Sequence, residues 1–192
     1  IIIDPKHGSA FYYIGLINEN IMEIDKAVHA YAQAQKYSPE IEDVHYRLGM
    51  LLYRTGELKK AMEPLRQFII NQPDDLNVLE AMGKIFISEN RFPEAIDTYN
   101  RIQTIYPEKL EINLALAESF YQLKNYESAI EVYKNVLLFD DENFEVMIKM
   151  GSIYNESGEY KNAENIFHEA INCTTPTMKM YYQLALTYGN QG

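Results

Sequence analysis

The 192-residue chain is poor in the residues from which most chemical sites are built. It has one cysteine, Cys173, so an internal disulfide and a multi-cysteine metal site are both excluded. A lone thiol of this kind reads as a small, half-buried apolar residue. There are four histidines, His7, His29, His45 and His168, and no two lie three or four residues apart. No helix face therefore presents the two imidazoles of an H-E-x-x-H zinc site. A glycine-rich phosphate loop and a G-x-S-x-G nucleophile turn are also missing. The acidic run 140–143 lacks the alternation and central glycine of a calcium loop. No catalytic, cofactor-binding or metal-binding residue is assigned, and the chain is read as a non-enzyme that needs no cofactor.

Positive charge is also scarce. Lysine and arginine number 17 against 28 aspartates and glutamates, a net charge of −11. Binding to nucleic acid needs a basic patch that neutralises phosphates, and anchoring on an anionic membrane needs basic clusters, so both are disfavoured. Apolar runs are short: the stretch Leu65 to Ile70 is broken by charge within a few residues, whereas a spanning helix needs about 20 apolar residues. The chain opens on Ile1-Ile2-Ile3 without a basic segment and cleavage site, so no secretory leader is read. The cytoplasm is the expected compartment. Asn155-Glu156-Ser157 and Asn172-Cys173-Thr174 match the glycosylation acceptor pattern and are read as chance matches in an asparagine-rich chain.

A strict period is present instead. Gly15, Gly49, Gly83, Ala117, Gly151 and Ala185 are each 34 residues apart, and only glycine or alanine occurs in that series. Ala27, Ala61, Ala95, Ala129 and Ala163 form a second series at the same spacing, and Tyr31, Leu65, Tyr99, Tyr133 and Phe167 a third. Pro5, Pro39, Pro73 and Pro107 form a fourth, continued by Asp141 and Thr175 with Pro176 one residue late. Four series in phase without an insertion imply a stack of identical supersecondary units.

The unit is a pair of helices. Apolar residues recur at helical intervals, for example Leu116 with Phe120 and Ile130 with Tyr133 and Leu137. First helices are expected near 9–21, 43–55, 77–89, 111–123, 145–157 and 179–190, and second helices near 24–37, 57–71, 92–105, 126–139 and 160–173. Gly56, Asn90 and Gly158 stand where a first helix should end. Proline closes the unit because it cannot continue a helix and moves its predecessor out of the helical region. Small residues mark where paired helices approach, and the aromatics are expected to fill the space between neighbouring hairpins. Pro64 falls inside a second helix and is expected to bend it, whereas Pro93 falls in a first turn, where its missing N–H costs little. Asp141 or Asn143 is expected to cap the helix after the turn that lacks proline.

The period and residues resemble the tetratricopeptide repeat family. Its pattern is carried by Phe11, Ile14-Gly15, Ala27, Tyr31, Ala34 and Pro39 in one repeat, and by Leu79, Met82-Gly83, Phe86, Ala95, Tyr99 and Pro107 in another. The resemblance implies an all-α fold, a right-handed superhelical solenoid of antiparallel helix hairpins. It sets out a single array over 1–192. A fragment, 1–7, precedes five complete repeats, 8–41, 42–75, 76–109, 110–143 and 144–177, and a partial repeat, 178–192, follows. Natural solenoids finish in polar caps. Here Tyr181, Leu184 and Tyr188 are expected to share one uncovered face. The array is thus read as cut from something longer, with possible self-association through its truncated ends.

In the family the concave face is lined by first helices, which implies a scaffold holding a peptide segment or helix of a protein partner. The alternatives are a substrate-recruiting arm of a larger enzyme and a self-assembling structural array. By register the candidate partner-binding residues are Tyr12, Tyr13, Tyr46, Arg47, Met50, Tyr53, Arg54, Lys84, Tyr121 and Lys149. Tyrosine and arginine are enriched at binding hot spots, and arginine grips carboxylates with two parallel bonds. Methionine adapts to irregular apolar shapes. A partner with acidic and apolar side chains is therefore expected, with neither nucleic acid nor membrane insertion. Two sub-types of the family are disfavoured. The carboxylate clamp positions hold Tyr12, Leu16, Arg47, Asn77 and Ala81, and the positions of an asparagine ladder hold Tyr13, Arg47, Ala81, Ala115, Lys149 and Gln183.

Overall fold

A computed structural model describes residues 7–173 and 177–191. Pro5, Thr174, Thr175 and Pro176, which enter the patterns above, lie outside the described residues. Among the described residues there are eleven helices. They are α1 (Gly8–Asn20), α2 (Ile24–Tyr37), α3 (Glu42–Arg54), α4 (Leu58–Asn71), α5 (Leu76–Ser88), α6 (Phe92–Ile105), α7 (Leu110–Gln122), α8 (Tyr126–Phe139), α9 (Phe144–Glu156), α10 (Tyr160–Cys173) and α11 (Met178–Gln191). The fold is an all-α repeat solenoid. The first helices begin one residue earlier than the periodicity alone suggests, and all but α11, which runs to Gln191, also end one residue earlier.

The chain divides into two compact units, Ile1–Glu89 and Asn90–Gly192, with the boundary falling between the two helices of the third repeat. Unit 1 holds α1 to α5 and unit 2 holds α6 to α11. In unit 1 the pairs α1/α2 and α3/α4 form hairpins, α2 packs on α3, and α4 on α5. In unit 2 the hairpins are α7/α8 and α9/α10, with α6 packed on α7 and α11 on α10 and α9.

The small-residue series explains the tightness of each hairpin. Ala27 and Ala61 in unit 1, and Ala95, Ala129 and Ala163 in unit 2, are fully buried. A Cβ added at Gly15 would lie 2.4 Å from the Tyr31 ring, and one at Gly49 would lie 2.5 Å from Leu65. In unit 2 a Cβ at Gly151 would meet Phe167 at 2.5 Å. The large residue of the third series therefore packs onto the glycine of its own hairpin as well as filling the core. Burying a side chain of that size contributes about 1.5–3 kcal/mol.

The turns reveal a fifth series. Met22, Gly56, Asn90, Lys124 and Gly158, again 34 residues apart, all have positive φ, between 58° and 82°. Each follows a first helix, and within the units Met22, Gly56, Lys124 and Gly158 let the chain reverse into the second helix of the hairpin. After Met22, Gly56, Lys124 and Gly158 the next amide reaches back across the helix end, as in Glu23 N to the Asn18 carbonyl at 2.9 Å and Glu159 N to the Tyr154 carbonyl at 2.8 Å. Glycine and asparagine were legible there; methionine and lysine adopt the same left-handed conformation at a cost.

The second helices end in a residue of common, non-helical conformation, Ser38, Gln72, Tyr106 and Asp140, whose φ lies between −118° and −144° and ψ between 66° and 82°. Asp140 adopts it although Asp141 stands where the other links have proline. Asn143 then caps α9, its side-chain oxygen accepting from the Val146 amide at 3.1 Å. Helix α4 runs through Pro64 without ending, and Pro93 sits in the first turn of α6.

One expectation needs correction. Leu184 does not share an uncovered face with Tyr181 and Tyr188. It is buried together with Met180 and Thr187, while Tyr181, Tyr182 and Tyr188 are exposed. Helix α11 lies against α9 and α10, and that contact selects the 180/184/187 face.

Candidate partner-binding surfaces on the first helices

In unit 1 the predicted wall is a wired network. Glu19, near the end of α1, accepts from the Tyr31 hydroxyl at 2.7 Å, from Arg47 Nη1 at 3.2 Å and from Arg54 Nη2 at 2.9 Å. Asp43 accepts from the Tyr12 hydroxyl at 2.6 Å and from Arg47 Nε at 2.5 Å. Arg47 thus bridges two carboxylates on neighbouring first helices. Burial opposes charge at Glu19, but the donors Tyr31, Arg54 and Arg47 outweigh it and hold the carboxyl below its usual range. Burial likewise opposes the Arg47 cation, and the Asp43 carboxylate more than offsets it. The Tyr31 phenol is pushed up, first by burial and then by its bond to Glu19.

The other predicted residues of unit 1 divide. Tyr13 is exposed and meets the Tyr12 ring edge-on, at 5.4 Å between centroids. Tyr46 turns its ring against Phe68 of its own hairpin, at 5.2 Å. Met50 and Tyr53 are half-buried on α3, and Lys84 is exposed on α5. The structure therefore joins Tyr12, Tyr13, Arg47 and Arg54 through Asp43 and Glu19. Asp43 falls by register on the same first-helix face as Arg47, whereas Glu19 was not a candidate, because only the packed side chains bring it against Arg47 and Arg54.

In unit 2 the predicted Tyr121 and Lys149 line one cleft of about 240 Å³, together with Glu118, Tyr133, Ser152, Lys179 and Gln183. Lys149 pairs with Glu118 at 3.2 Å. Tyr121 donates to Glu156 at 2.7 Å, and Tyr126 donates to the other oxygen of the same carboxylate at 2.9 Å. The bond to Glu156, with burial second, pushes the Tyr121 phenol up to about 12. No cation among the described residues pairs with Glu156. Tyr126, Tyr133, Lys179 and Gln183 were not among the candidates; alignment of one unit on the other by register would have brought forward Tyr133, which falls on Tyr31, and not Tyr126 or Gln183, which fall on Ile24 and Ala81.

Both units also carry a buried polar contact that periodicity had hidden. In unit 1 the His45 ring lies 3.0 Å from the Gln35 amide nitrogen and 2.8 Å from the Pro39 carbonyl oxygen. In unit 2 Asn113 accepts from the Gln103 amide at 2.7 Å and donates to the Pro107 carbonyl at 3.1 Å. The three partners are 68 residues apart in each case, two repeats. His45 is thereby a structural residue. Among the described residues no group of three His, Cys, Asp or Glu side chains is placed to hold a metal. No helix among them is long and apolar enough to cross a membrane.

Three tetratricopeptide repeat family models match the chain, over residues 23–75, 86–143 and 144–172. No curated protein matches its sequence. Solved structures share the fold. A MamA protein is 19% identical, with 86% of this chain and 91% of that one covered and a TM-score of 0.73. YrrB, described as a TPR protein with an unusual peptide-binding site, is 12% identical with coverage of 93% and 92% and a TM-score of 0.75. A tetratricopeptide repeat protein from Parabacteroides merdae ATCC 43184 is 18% identical, with coverage of 96% and 73% and a TM-score of 0.72.

Proposed function

Because the chain belongs to the tetratricopeptide repeat family, a family of protein-interaction scaffolds, we propose that it binds a peptide segment of a protein partner along the faces of its first helices. One observation carries this reading. The first helices present aromatic and charged side chains at positions that the packing of the hairpins does not consume, with Tyr13 and Lys84 exposed in unit 1 and an open cleft in unit 2. A fold neighbour described as peptide-binding agrees with it. The partner segment carries apolar side chains for Tyr13 and acidic ones for the cations. Arg47 and Arg54 are held by Asp43 and Glu19, so reversing their charge would damage the scaffold and is a poor probe of binding.

The test is selection of displayed random peptides on the full chain, followed by calorimetric affinities for Tyr13→Ala with Lys84→Glu. At least a tenfold loss with unchanged helicity is expected, about 1.4 kcal/mol. Selection of no peptide, or undiminished affinity in the double variant, overturns this placement.

A specific observation favours a second reading, association between copies through α1. Ile14 and Ile17 are 46% and 60% exposed, whereas the residues at the same two positions of the other first helices are all buried, Leu48 and Leu51 among them. Sedimentation of Ile14→Glu with Ile17→Lys decides it: a wild type that is monomeric at high concentration sinks the idea, and a wild-type oligomer that the variant disperses supports it.

A further inference from the structure

The polar cluster of unit 1 has a positional counterpart in unit 2, three repeats or 102 residues later. Tyr31, Glu19, Arg47 and Arg54 become Tyr133, Tyr121, Lys149 and Glu156. The staple between first helices survives with its polarity reversed. Arg54 donates to Glu19 at 2.9 Å in unit 1, and Tyr121 donates to Glu156 at 2.7 Å in unit 2. Reversal leaves a gap in the wiring. The carboxylate that Tyr31 and Arg47 share has no counterpart, because a phenol stands at position 121.

Tyr133 shows the consequence. It is 1% exposed, and no partner among the described residues takes up its hydroxyl. It lines the 240 Å³ cleft that also holds Lys149 and Lys179. Burial, with Glu118 second, pushes the Tyr133 phenol up, so the hydroxyl stays protonated and able to donate at neutral pH. The one acid lining the cleft, Glu118, is paired with Lys149, and Lys179 adds a second positive charge. The Ser152 hydroxyl is already donated to the Ile148 carbonyl. The cleft thus offers donors and a net positive charge within a unit whose net charge is negative.

We propose that this cleft seats a carboxylate from an acidic side chain of the bound peptide, which takes the place that Glu19 holds in unit 1. Tyr133 donates its hydroxyl, and Lys149 and Lys179 supply charge-assisted bonds. The central donor is a second-helix phenol, which sets the site apart from the first-helix clamp considered above. The assignment rests on the peptide-binding reading and adds the chemistry of one contact.

The probes are an acetylated, amidated Ala-Leu-Glu-Leu-Ala peptide and its glutamine counterpart, titrated into the full chain at constant salt and followed by amide and methyl NMR. The glutamate peptide is expected to shift the Lys149, Ser152, Lys179 and Gln183 resonances and to bind about tenfold more tightly than the glutamine peptide, the worth of a hydrogen bond to a charged group. Tyr133→Phe removes one oxygen at a position where Phe167 shows that phenylalanine packs, and it should abolish most of that preference. Tyr121→Glu with Glu156→Arg copies Glu19 and Arg54, fills the seat from within and should also remove the preference. Equal binding of the two peptides, shifts confined to other surfaces, or a preference that survives Tyr133→Phe each overturn the assignment. Equal binding with shifts along the first helices overturns the carboxylate seat alone and leaves peptide binding standing.

Discussion

Unit 1 closes its polar cluster on itself, and unit 2 leaves the corresponding cluster open. Around Glu19, two guanidinium groups and a phenol converge on one carboxylate, so donors and acceptors balance within the unit. Around Glu156, two phenols meet a carboxylate with no cation, and the Tyr133 hydroxyl faces a cleft. Three of the four aligned positions differ, with a phenol for Glu19, an acid for Arg54 and a lysine for Arg47, and an internal ion pair gives way to a surface with unspent donors. Both clusters stand on the same kind of helix hairpin, and the contrast is carried by these side chains.

Breaking the two centres in parallel tests that contrast most directly. Glu19→Gln should cost about 2 kcal/mol, because Tyr31 and Arg47 lose charge-assisted bonds to a half-buried carboxylate, while Arg47 keeps Asp43 and the exposed Arg54 adds little. Glu156→Gln should cost clearly less, since two phenols can still donate to the amide oxygen. Amide hydrogen exchange read separately over α1–α3 and α7–α9 checks this, and equal losses would refute the contrast. The same centre sets an acid limit. A carboxyl held below its usual value stabilises the fold above pH about 4.5, and that contribution is lost as pH falls through the depressed value.

The buried contact at His45 and Asn113 comes next in size. His45→Leu strands the Gln35 amide and the Pro39 carbonyl and should cost about 2 kcal/mol. His45→Asn copies the wiring of unit 2 and should be close to neutral. Gln35→Ile added to His45→Leu copies Ile69 and Leu79, the residues at those positions one repeat later, and should recover most of the loss in urea denaturation. The left-handed turn residues follow. Met22→Gly in unit 1 and Lys124→Gly in unit 2 should each raise stability by about 1 kcal/mol, and Gly56→Ala should lower it by a similar amount.

The smallest effect is confined to alkaline pH. The Tyr121 phenol is pushed from 10.0 up to about 12, so the stability it contributes is complete below pH 10 and lost between pH 10 and 12. Glu156→Gln removes the first cause, and phenolate absorbance should then show Tyr121 ionising nearer its ordinary value.

The extent to which the sequence could be read differs by level. Helix positions came out within one residue because small, large and turn residues recur at one spacing and each acts on its immediate neighbours. Gly56, Asn90 and Gly158 announced their turns, while Met22 and Lys124 could be found only by phase, since neither residue type favours positive φ. The surface was less legible. Tyr13 and Lys84 are exposed on first helices, whereas Arg47 and Arg54 pair with Asp43 and Glu19, bonds that a repeat pattern does not show.

By itself the sequence determined the period, the all-helical fold and the buried series of glycine, alanine and aromatic residues. These follow from local helix geometry and from the room available where paired helices touch. Tertiary structure alone decided which charges are spent and which remain. The bonds from Glu19 to Arg54 and from Tyr121 to Glu156 join residues 35 positions apart, across two hairpins. A strict period says that such residues are neighbours; only the packed side chains show which of them donates, which accepts, and which hydroxyl is left over.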